Sequence, residues 1–336
     1  MNPKTIVIAG ARSRIGKTTL ALRIHDLLEG SEVIKLGHGR IKPEMPNHFY
    51  EYGTSFETIK QKHLGTKWLI IESNSIRKEI NPDVTIFLDG EGSKPSAQFA
   101  REHADIISGT LIKPAIAEAL ARRLEISGNL VHEIIWLSGA RPEPASAVIL
   151  AGGNSRRMGT DKANLMMGDK TVLEGLVEAL HQVFDQVILS GSNVPQLRND
   201  IMIVPDEVPG KGPLMGICSA LKASSHTTNF IIACDIPNID VFTLRLLLSR
   251  SSLYEIVLPS VKQGYYEPLF AVYQKQVWTK AEKLLDKGIG KISELINECR
   301  AEIVTIGNRD WYVNLNTPED FEKYLLKTGA GNHERY

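Results

Sequence analysis

Ala147–Lys162, AVILAGGNSRRMGTDK, is the stretch on which the reading of this chain turns. Ala147 to Leu150 is a short apolar run, which predicts a buried strand. The run breaks at Gly152 and Gly153, where the backbone is free to take positive φ and to approach a ligand closely. Arg156, Arg157 and Lys162 then bring positive charge, and Asp161 one negative charge. A strand that ends in a glycine turn and then presents backbone N–H groups and cations is a phosphate cradle. The plain alternative is a glycine turn with surface cations; strand context and spacing favour the cradle.

Downstream the pattern continues as an α/β domain. Thr171 to Phe184 predicts an amphipathic helix whose apolar stripe is core. Val187 to Leu189 and Ile201 to Val204 predict two more strands, with Asp206 just past the second. GKGPLMG then leads into a helix through Ile217 and Leu221. Phe230 to Cys234 is strongly apolar and ends in Asp235, then Ile236 and Pro237. A central strand with a carboxylate at its C-terminal edge is where doubly wound sheets place ligands. Mg²⁺ is a hard ion held by one or two carboxylates plus substrate phosphates, so Asp235 is the preferred metal ligand. Glu255 to Pro259 and Leu269 to Tyr273 predict strands flanking SVKQGYYEP. Two helices, around Val277 to Leu285 and Ile292 to Ile296, and a strand Ile303 to Ile306 follow. In VNLNTPEDF, Thr317 suits a helix N-cap, Pro318 the first helical position, and Glu319 and Asp320 the positive end.

Upstream, Thr5 to Ala9 predicts a strand, followed by Gly10 and ARSRIGKTT. This fits the phosphate-loop pattern [AG]xxxxGK[ST], with Ala11 first and Gly16, Lys17 and Thr18 as its end. In such a loop the lysine reaches the β and γ phosphates and the hydroxyl ligates Mg²⁺. Arg12, Ser13, Arg14 and Ile15 stand where small residues are common, and their side chains are expected to crowd the phosphates. Further strands are expected at Glu32 to Leu36, Trp68 to Ile71, Val84 to Leu88 and Ala104 to Ile107. Glu72, at the end of its strand, is the candidate Mg²⁺ or water ligand of this half, with Asp89 behind it. A solvating strand-end acid is the plain alternative for Glu72, and a structural role for His38 in LGHGR. Ile112 to Glu125 predicts a helix with Pro114 near its start, whereas Asn129 to Leu137 fits either a last strand or a helix.

The 336 residues allow two ordinary domains. Gly139 to Ser146, GARPEPAS, reads as the linker, which gives domains 1–141 and 144–330. Both read as doubly wound α/β domains, the first P-loop NTPase-like, the second Rossmann-like with a mostly parallel sheet. A formal net charge of zero gives no general electrostatic case for nucleic acid or membrane. No apolar run is long enough to span a bilayer. Cys218, Cys234 and Cys299 are odd in number and far apart, so a reducing cytoplasm is the expected setting.

The string LAGGxSxRMGxDK, complete over 150–162, resembles the molybdenum cofactor guanylyltransferases, which join GMP from GTP to molybdopterin. The resemblance extends to CD-x-P at Asp235 and to N-x-NTPED at Asn314 and Asn316. It implies that Leu150, Ala151, Gly152 and Gly153 contact the nucleotide and that Arg157 and Lys162 bind its phosphates. It also implies nucleotide contact by Asp206, Mg²⁺ on Asp235, and an asparagine that helps read guanine. Ser190, Ser192 and Asn193 compete for that last place, with Asn193 the choice. By the same resemblance Lys262, Tyr265, Tyr266 and Glu267 face the second substrate. The implied partners are GTP and molybdopterin, then other enzymes of molybdopterin synthesis and apo-molybdoenzymes. The first half resembles the GTP-binding partner protein of molybdopterin-guanine dinucleotide biosynthesis, through its loop, VIKLGH and IIES. It departs in a glycine-poorer loop and in Glu72–Ser73, where that partner commonly has EG. Three other readings stay open: a cytidylyltransferase on molybdopterin, though those tend to have LAAG; a sugar-phosphate nucleotidyltransferase; and a non-catalytic carrier of molybdopterin and GTP.

Overall fold

A computed structural model describes residues 2–37, 48–92, 95–152, 165–191, 194, 196–262, 265–306 and 312–328. The chain divides into two compact units, Met1–Glu143 and Pro144–Tyr336.

In the first unit β1 (Lys4–Gly10), β2 (Ser31–Gly37), β3 (His48–Glu51), β4 (Trp68–Glu72), β5 (Val84–Leu88) and β6 (Ile106–Ile107) form one sheet. Its order is β3-β2-β4-β1-β5-β6. All neighbouring pairs are parallel. The helices Lys17–Leu27, Phe56–Lys62, Pro95–Glu102, Pro114–Leu124 and Gly128–Leu137 connect and follow these strands. A parallel sheet covered by helices demands continuous apolar strands, and Ile6, Val7, Ile8, Leu69, Ile70 and Ile71 are all fully buried.

Three expectations need correction here, and the choice left open between strand and helix is decided. The strand anticipated at Ala104 to Ile107 is only Ile106–Ile107, because the Asp105 carboxylate turns to accept from the Thr85 N–H at 2.8 Å and from Arg123. The helix anticipated at Ile112 to Glu125 is Pro114–Leu124, and Glu125 ends it in the left-handed region. Asn129 to Leu137 is helix, Gly128–Leu137, with the Ser127 hydroxyl accepting from Leu130 N–H at its start. The anticipated linker is mostly built into structure. Gly139 accepts from Gly109 N–H, Arg141 bridges Leu111, and Ala145 already belongs to the next strand.

In the second unit β7 (Ala145–Leu150), β8 (Met166–Met167), β9 (Lys170–Thr171), β10 (Gln186–Ser190), β11 (Met202–Val204) and β12 (Thr228–Ala233) come first. Then follow β13 (Ile256–Lys262), β14 (Tyr265–Tyr266), β15 (Phe270–Gln274) and β16 (Ala301–Thr305). The main sheet runs β11-β10-β7-β12-β15-β13-β14, with β16 beside β13 and β8-β9 a separate hairpin. From β11 to β12 every pair is parallel; β15 runs antiparallel to β12 and β13. Thr171 and Glu174 form a reciprocal capping box that starts the helix Val172–His181. That helix stops before Phe184, which stacks instead on Phe230 at 5.9 Å. Val148, Ile188, Ile231, Leu258 and Ala271, from five adjacent strands, share one core cluster with Leu214, Ile217 and Leu221 of the helix Pro213–Ala223.

Candidate active site

The register of the parallel strands decides where the second unit is able to hold a ligand. Val204 lies beside Ser190, Ser190 beside Leu150, and Leu150 beside Ala233. Four strands therefore end level. At about 4.8 Å per strand their ends span about 14 Å. Two residues beyond three of these ends stand Asp206, Gly152 and Asp235, so two carboxylates flank a glycine turn along one carboxyl edge.

That edge is tightly built. Ala151 N–H bonds to the Ser190 carbonyl and Cys234 N–H to the Leu150 carbonyl, both near 3 Å (2.9 and 3.1 Å). Gly191 takes φ +150°, and a Cβ there would lie 2.6 Å from the Gly152 nitrogen. Two loops thus meet backbone to backbone, which only glycine permits. Gly216, in the helix Pro213–Ala223, faces the same point: a Cβ on it would sit 3.2 Å from Ser190 Oγ, 3.3 Å from Leu150 Cδ2 and 3.4 Å from Asp206 Oδ1. Burial raises the Asp206 pKa above the ordinary aspartate value.

Asp235 is half-buried on the turn after β12. Its carbonyl accepts from Leu315 N–H at 2.8 Å, which ties the NTPED segment to this strand end. Tyr312 donates its hydroxyl to Glu267 Oε2. Burial first, then Glu267 and Asp235, raises the pKa of that hydroxyl, while a hydrogen bond from Asn314 acts the other way. Asn314 Oδ1 is buried and, among the described residues, has no hydrogen-bond partner. The helix Pro318–Thr328 starts as expected: Asp320 N–H bonds Thr317 Oγ1, and Thr317 N–H bonds Asp320 Oδ2. Tyr324 of that helix donates to Asn238 Oδ1 at 2.7 Å, close in sequence to Asp235.

The structure therefore brings Leu150, Ala151, Gly152, Asp206 and Asp235 to one edge and adds Glu267, Tyr312 and Asn314 beside Asp235. Gly153, Arg156, Arg157, Asp161, Lys162, Ser192 and Asn193 lie outside the described residues, as does His38. Nothing is described of the Lys262 side chain; Tyr265 is exposed and Tyr266 half-buried on β14. Gly191 and Tyr312 were not foreseen. The signal available for Gly191 was a glycine directly after an apolar strand.

In the first unit, Gly16 precedes the helix Lys17–Leu27 with φ +99°, and Arg14 is also left-handed at φ +62°. Alternation of this kind turns backbone N–H groups toward one concavity. Lys17 Nζ donates to the Arg12 carbonyl across the loop. Thr18 Oγ1 donates to Glu72 Oε2 at 2.6 Å, and Lys35 Nζ lies 3.1 Å from Glu72 Oε1. Glu72 is buried, so these partners stabilise a charge that burial would otherwise penalise. Asp89 is committed elsewhere: Arg101 grips it, and that hydrogen bond, chiefly, lowers its pKa. Ile15 is one of the residues expected to crowd the phosphates. Its side chain turns down against Gly10 and Gly90 and packs on Ala9, Ala11 and Phe87, while Arg12, Ser13 and Arg14 stay exposed. Asn74, unforeseen, pairs both its amide atoms with the Gly10 backbone at 3.0 Å.

Among the described residues no helix is long and apolar enough to cross a membrane. Against known families, the MobA-like NTP transferase domain matches residues 147–302. A probable molybdenum cofactor guanylyltransferase of Natranaerobius thermophilus is 37% identical over 202 residues, covering 54% of this chain and 97% of that protein. The molybdenum cofactor guanylyltransferase of Syntrophotalea carbinolica is 34% identical over 199 residues, covering 56% and 94%. The crystal structure of molybdopterin-guanine dinucleotide biosynthesis protein A from Archaeoglobus fulgidus is 22% identical with a TM-score of 0.48, covering 55% and 98%.

Proposed function

Because the chain belongs, through its second unit, to the molybdenum cofactor guanylyltransferases, we propose that this unit transfers GMP from GTP to molybdopterin and releases pyrophosphate. The level carboxyl edge carries the reading: a glycine turn with Asp206 on one side and Asp235 on the other.

A terminal phosphate oxygen of molybdopterin attacks the α-phosphorus of GTP. One P–O bond forms, the bond to the β-phosphate oxygen breaks, and pyrophosphate leaves with its electron pair. No covalent bond to the protein is needed. The Gly152 turn lets backbone approach the phosphates, and Arg157 and Lys162 follow it in sequence to meet the leaving charge. Asp235 is a hard oxygen donor that suits Mg²⁺, and Glu267 is a second carboxylate acting on the same Tyr312 hydroxyl. When bound, that ion would neutralise phosphate charge and align the triphosphate. Tyr312 and Asn314 border the acceptor side, where Tyr312 holds the Glu267 carboxylate and Asn314 Oδ1 is left to accept from a ligand N–H or O–H. Asp206 and Asn193 are the proposed contacts to the nucleoside.

For the first unit the proposal is GTP binding at Gly16, Lys17 and Thr18, with Glu72 serving an Mg²⁺ through Thr18. Its task would be delivery or coupling to the transferase. The cytoplasm is the proposed setting, and other molybdopterin-synthesis enzymes and apo-molybdoenzymes the proposed partners.

The test is the full chain with molybdopterin, Mg²⁺ and GTP or CTP in turn, followed by pyrophosphate release. Turnover with GTP and at least tenfold less with CTP is expected. Asp235→Ala should abolish turnover while circular dichroism stays unchanged. Near-normal turnover by that variant, or a preference for CTP, overturns the assignment.

A further inference from the structure

On the edge of the first sheet three donors converge that nothing above uses. Glu32 lies on β2, two residues before Ile34, and His48 opens β3 in register with Ile34. His63 follows the helix Phe56–Lys62, whose Ile59 packs into the same apolar cluster as Ile34. One ligand atom from each of Glu32, His48 and His63 lies within 4.8 Å of the other two. Glu32 Oε2 is the shared point: it meets His63 Nδ1, and His48 Nε2 stands 3.6 Å from it. Donors around a tetrahedral Zn²⁺, each about 2.0–2.1 Å from the ion, sit about 3.3 Å apart.

Each inner donor also has a partner behind it. Thr66 Oγ1 donates to the other Glu32 oxygen at 2.9 Å, and Tyr50 Oη sits 2.8 Å from His63 Nε2. Metal-bound histidines almost always engage their second nitrogen in this way, which fixes tautomer and ring orientation. The Tyr50 hydroxyl suits both states. Without an ion it donates to Nε2 while Nδ1–H donates to Glu32. With an ion on Nδ1, the ring proton moves to Nε2 and the same hydroxyl accepts it. His63 is buried, whereas the His48 side chain is 58% exposed, so one side stays open to water. A hydrogen-bonded Glu32–His63–Tyr50 chain would be complete without His48. The second imidazole, edge-on to His63 at 4.5 Å and aimed at the same carboxylate oxygen, is what such a chain leaves unexplained.

We propose that Glu32, His48 and His63 form a site for one divalent transition-metal ion, Zn²⁺ foremost, that ties β3 to β2 and to the end of the helix Phe56–Lys62. Two imidazoles and a carboxylate are the donor set of borderline ions rather than of Mg²⁺ or Ca²⁺. The proposal is independent of the transferase reading.

The full chain, stripped with chelator and kept in excess Mg²⁺, is titrated with Zn²⁺ against a chromophoric chelator. Co²⁺ absorption in the visible serves as a second readout. One equivalent of Zn²⁺ should bind, raise the melting temperature and give a tetrahedral Co²⁺ spectrum. His48→Ala, an exposed position where folding is safe, should weaken Zn²⁺ at least tenfold and leave GMP transfer unchanged. Tyr50→Phe should weaken it about tenfold, as loss of an orienting partner does. No stoichiometric Zn²⁺ binding, or binding indifferent to both His48→Ala and Glu32→Gln, overturns the proposal.

Discussion

Gly191→Ala tests the carboxyl edge most directly. A methyl at Gly191 would lie 2.6 Å from the Gly152 nitrogen and 2.8 Å from its Cα, and 3.1 Å from Val194 Cγ2. Two of these are backbone atoms, so no rotamer relieves the clash. Ordinary contact begins at 3.4 Å, so the Gly152 turn must retreat by about 0.8 Å. A misplacement near 1 Å of groups that position a substrate is able to lower rates about 100-fold. The expected loss in kcat/KM is therefore about 10- to 100-fold, or about 1.4–2.7 kcal/mol of transition-state stabilisation. Overpacking adds a folding penalty of about 1–3 kcal/mol and the positive φ about another 1 kcal/mol. Against a usual stability of about 5–15 kcal/mol the variant stays folded. At about 2–4 °C per kcal/mol, its melting temperature should fall by about 5–15 °C. Gly288→Ala is the control. Its φ is +77° and nothing lies within 4 Å of the added methyl, so it carries strain without a clash. It should lose about 1 kcal/mol of stability and no activity. Pyrophosphate release under saturating and limiting GTP reads both. A folded Gly191→Ala enzyme with kcat/KM within twofold of the parent would refute the idea that this turn holds the nucleotide.

Three further outcomes follow from the same geometry. Burial raises the Asp206 pKa above its ordinary 3.8. Between its unfolded and native values the native state binds more protons, so stability falls as pH rises through that window. Asp206→Asn should thus gain in melting temperature relative to the parent from pH 4 to 7 while losing activity; a relative loss would contradict the burial argument. Tyr312→Phe strips Glu267 Oε2 of its donor beside Asp235. A hydrogen bond to a charged group is worth about 1.5–3 kcal/mol, so kcat/KM for molybdopterin should drop at least tenfold with the fold retained, and an unchanged value would remove Tyr312 from the site. Lys17→Ala should delete one of two GTP-binding events in calorimetry and leave transfer by the second unit intact. Two events persisting in that variant would refute the phosphate-loop reading.

Much of this architecture was legible because apolar runs of four to seven residues flanked by glycine or acid admit few alternatives. Val84–Leu88, Trp68–Glu72 and Thr228–Ala233 emerge as strands close to where their composition put them. The TPED helix start was equally readable, since a cap is a local hydrogen bond. β3 was not, because HFYE is a four-residue edge strand, half-exposed, with no strong alternation. The helix Val241–Ser249 was legible yet unread: Asp240 accepts from Thr243 N–H at 2.8 Å, a capping pattern visible in NIDVFT. Contacts between residues distant in sequence left no trace at all. Glu267 meets Tyr312 and Glu32 meets His63 only because the fold brings together segments from different parts of the chain.

The level strand ends are themselves a consequence of packing. Val148 and Ile188 pair with one another, Val148 also pairs with Ile231, and all three sit in one fully buried cluster. Every residue of β7 and β12 is buried, so a slip of one residue would exchange the side chains fitted to the two covered faces and unmake the packing on both; the core thereby holds the register. That same register brings Leu150 level with Ser190 and Ala233, and so places Gly152 against Gly191 and Asp235 two residues beyond its strand. The position of the acid is inherited from the apolar pairing beneath it. A conservative core change such as Ile231→Val should therefore lower stability by about 0.5–1.5 kcal/mol without moving Asp235, whereas an inserted residue between Ala233 and Asp235 should abolish transfer and also cost stability, because it displaces the Cys234–Leu150 and Leu315–Asp235 backbone bonds. The reverse pattern, activity tracking core volume rather than strand-end spacing, would mean that the position of Asp235 is set by something other than this sheet.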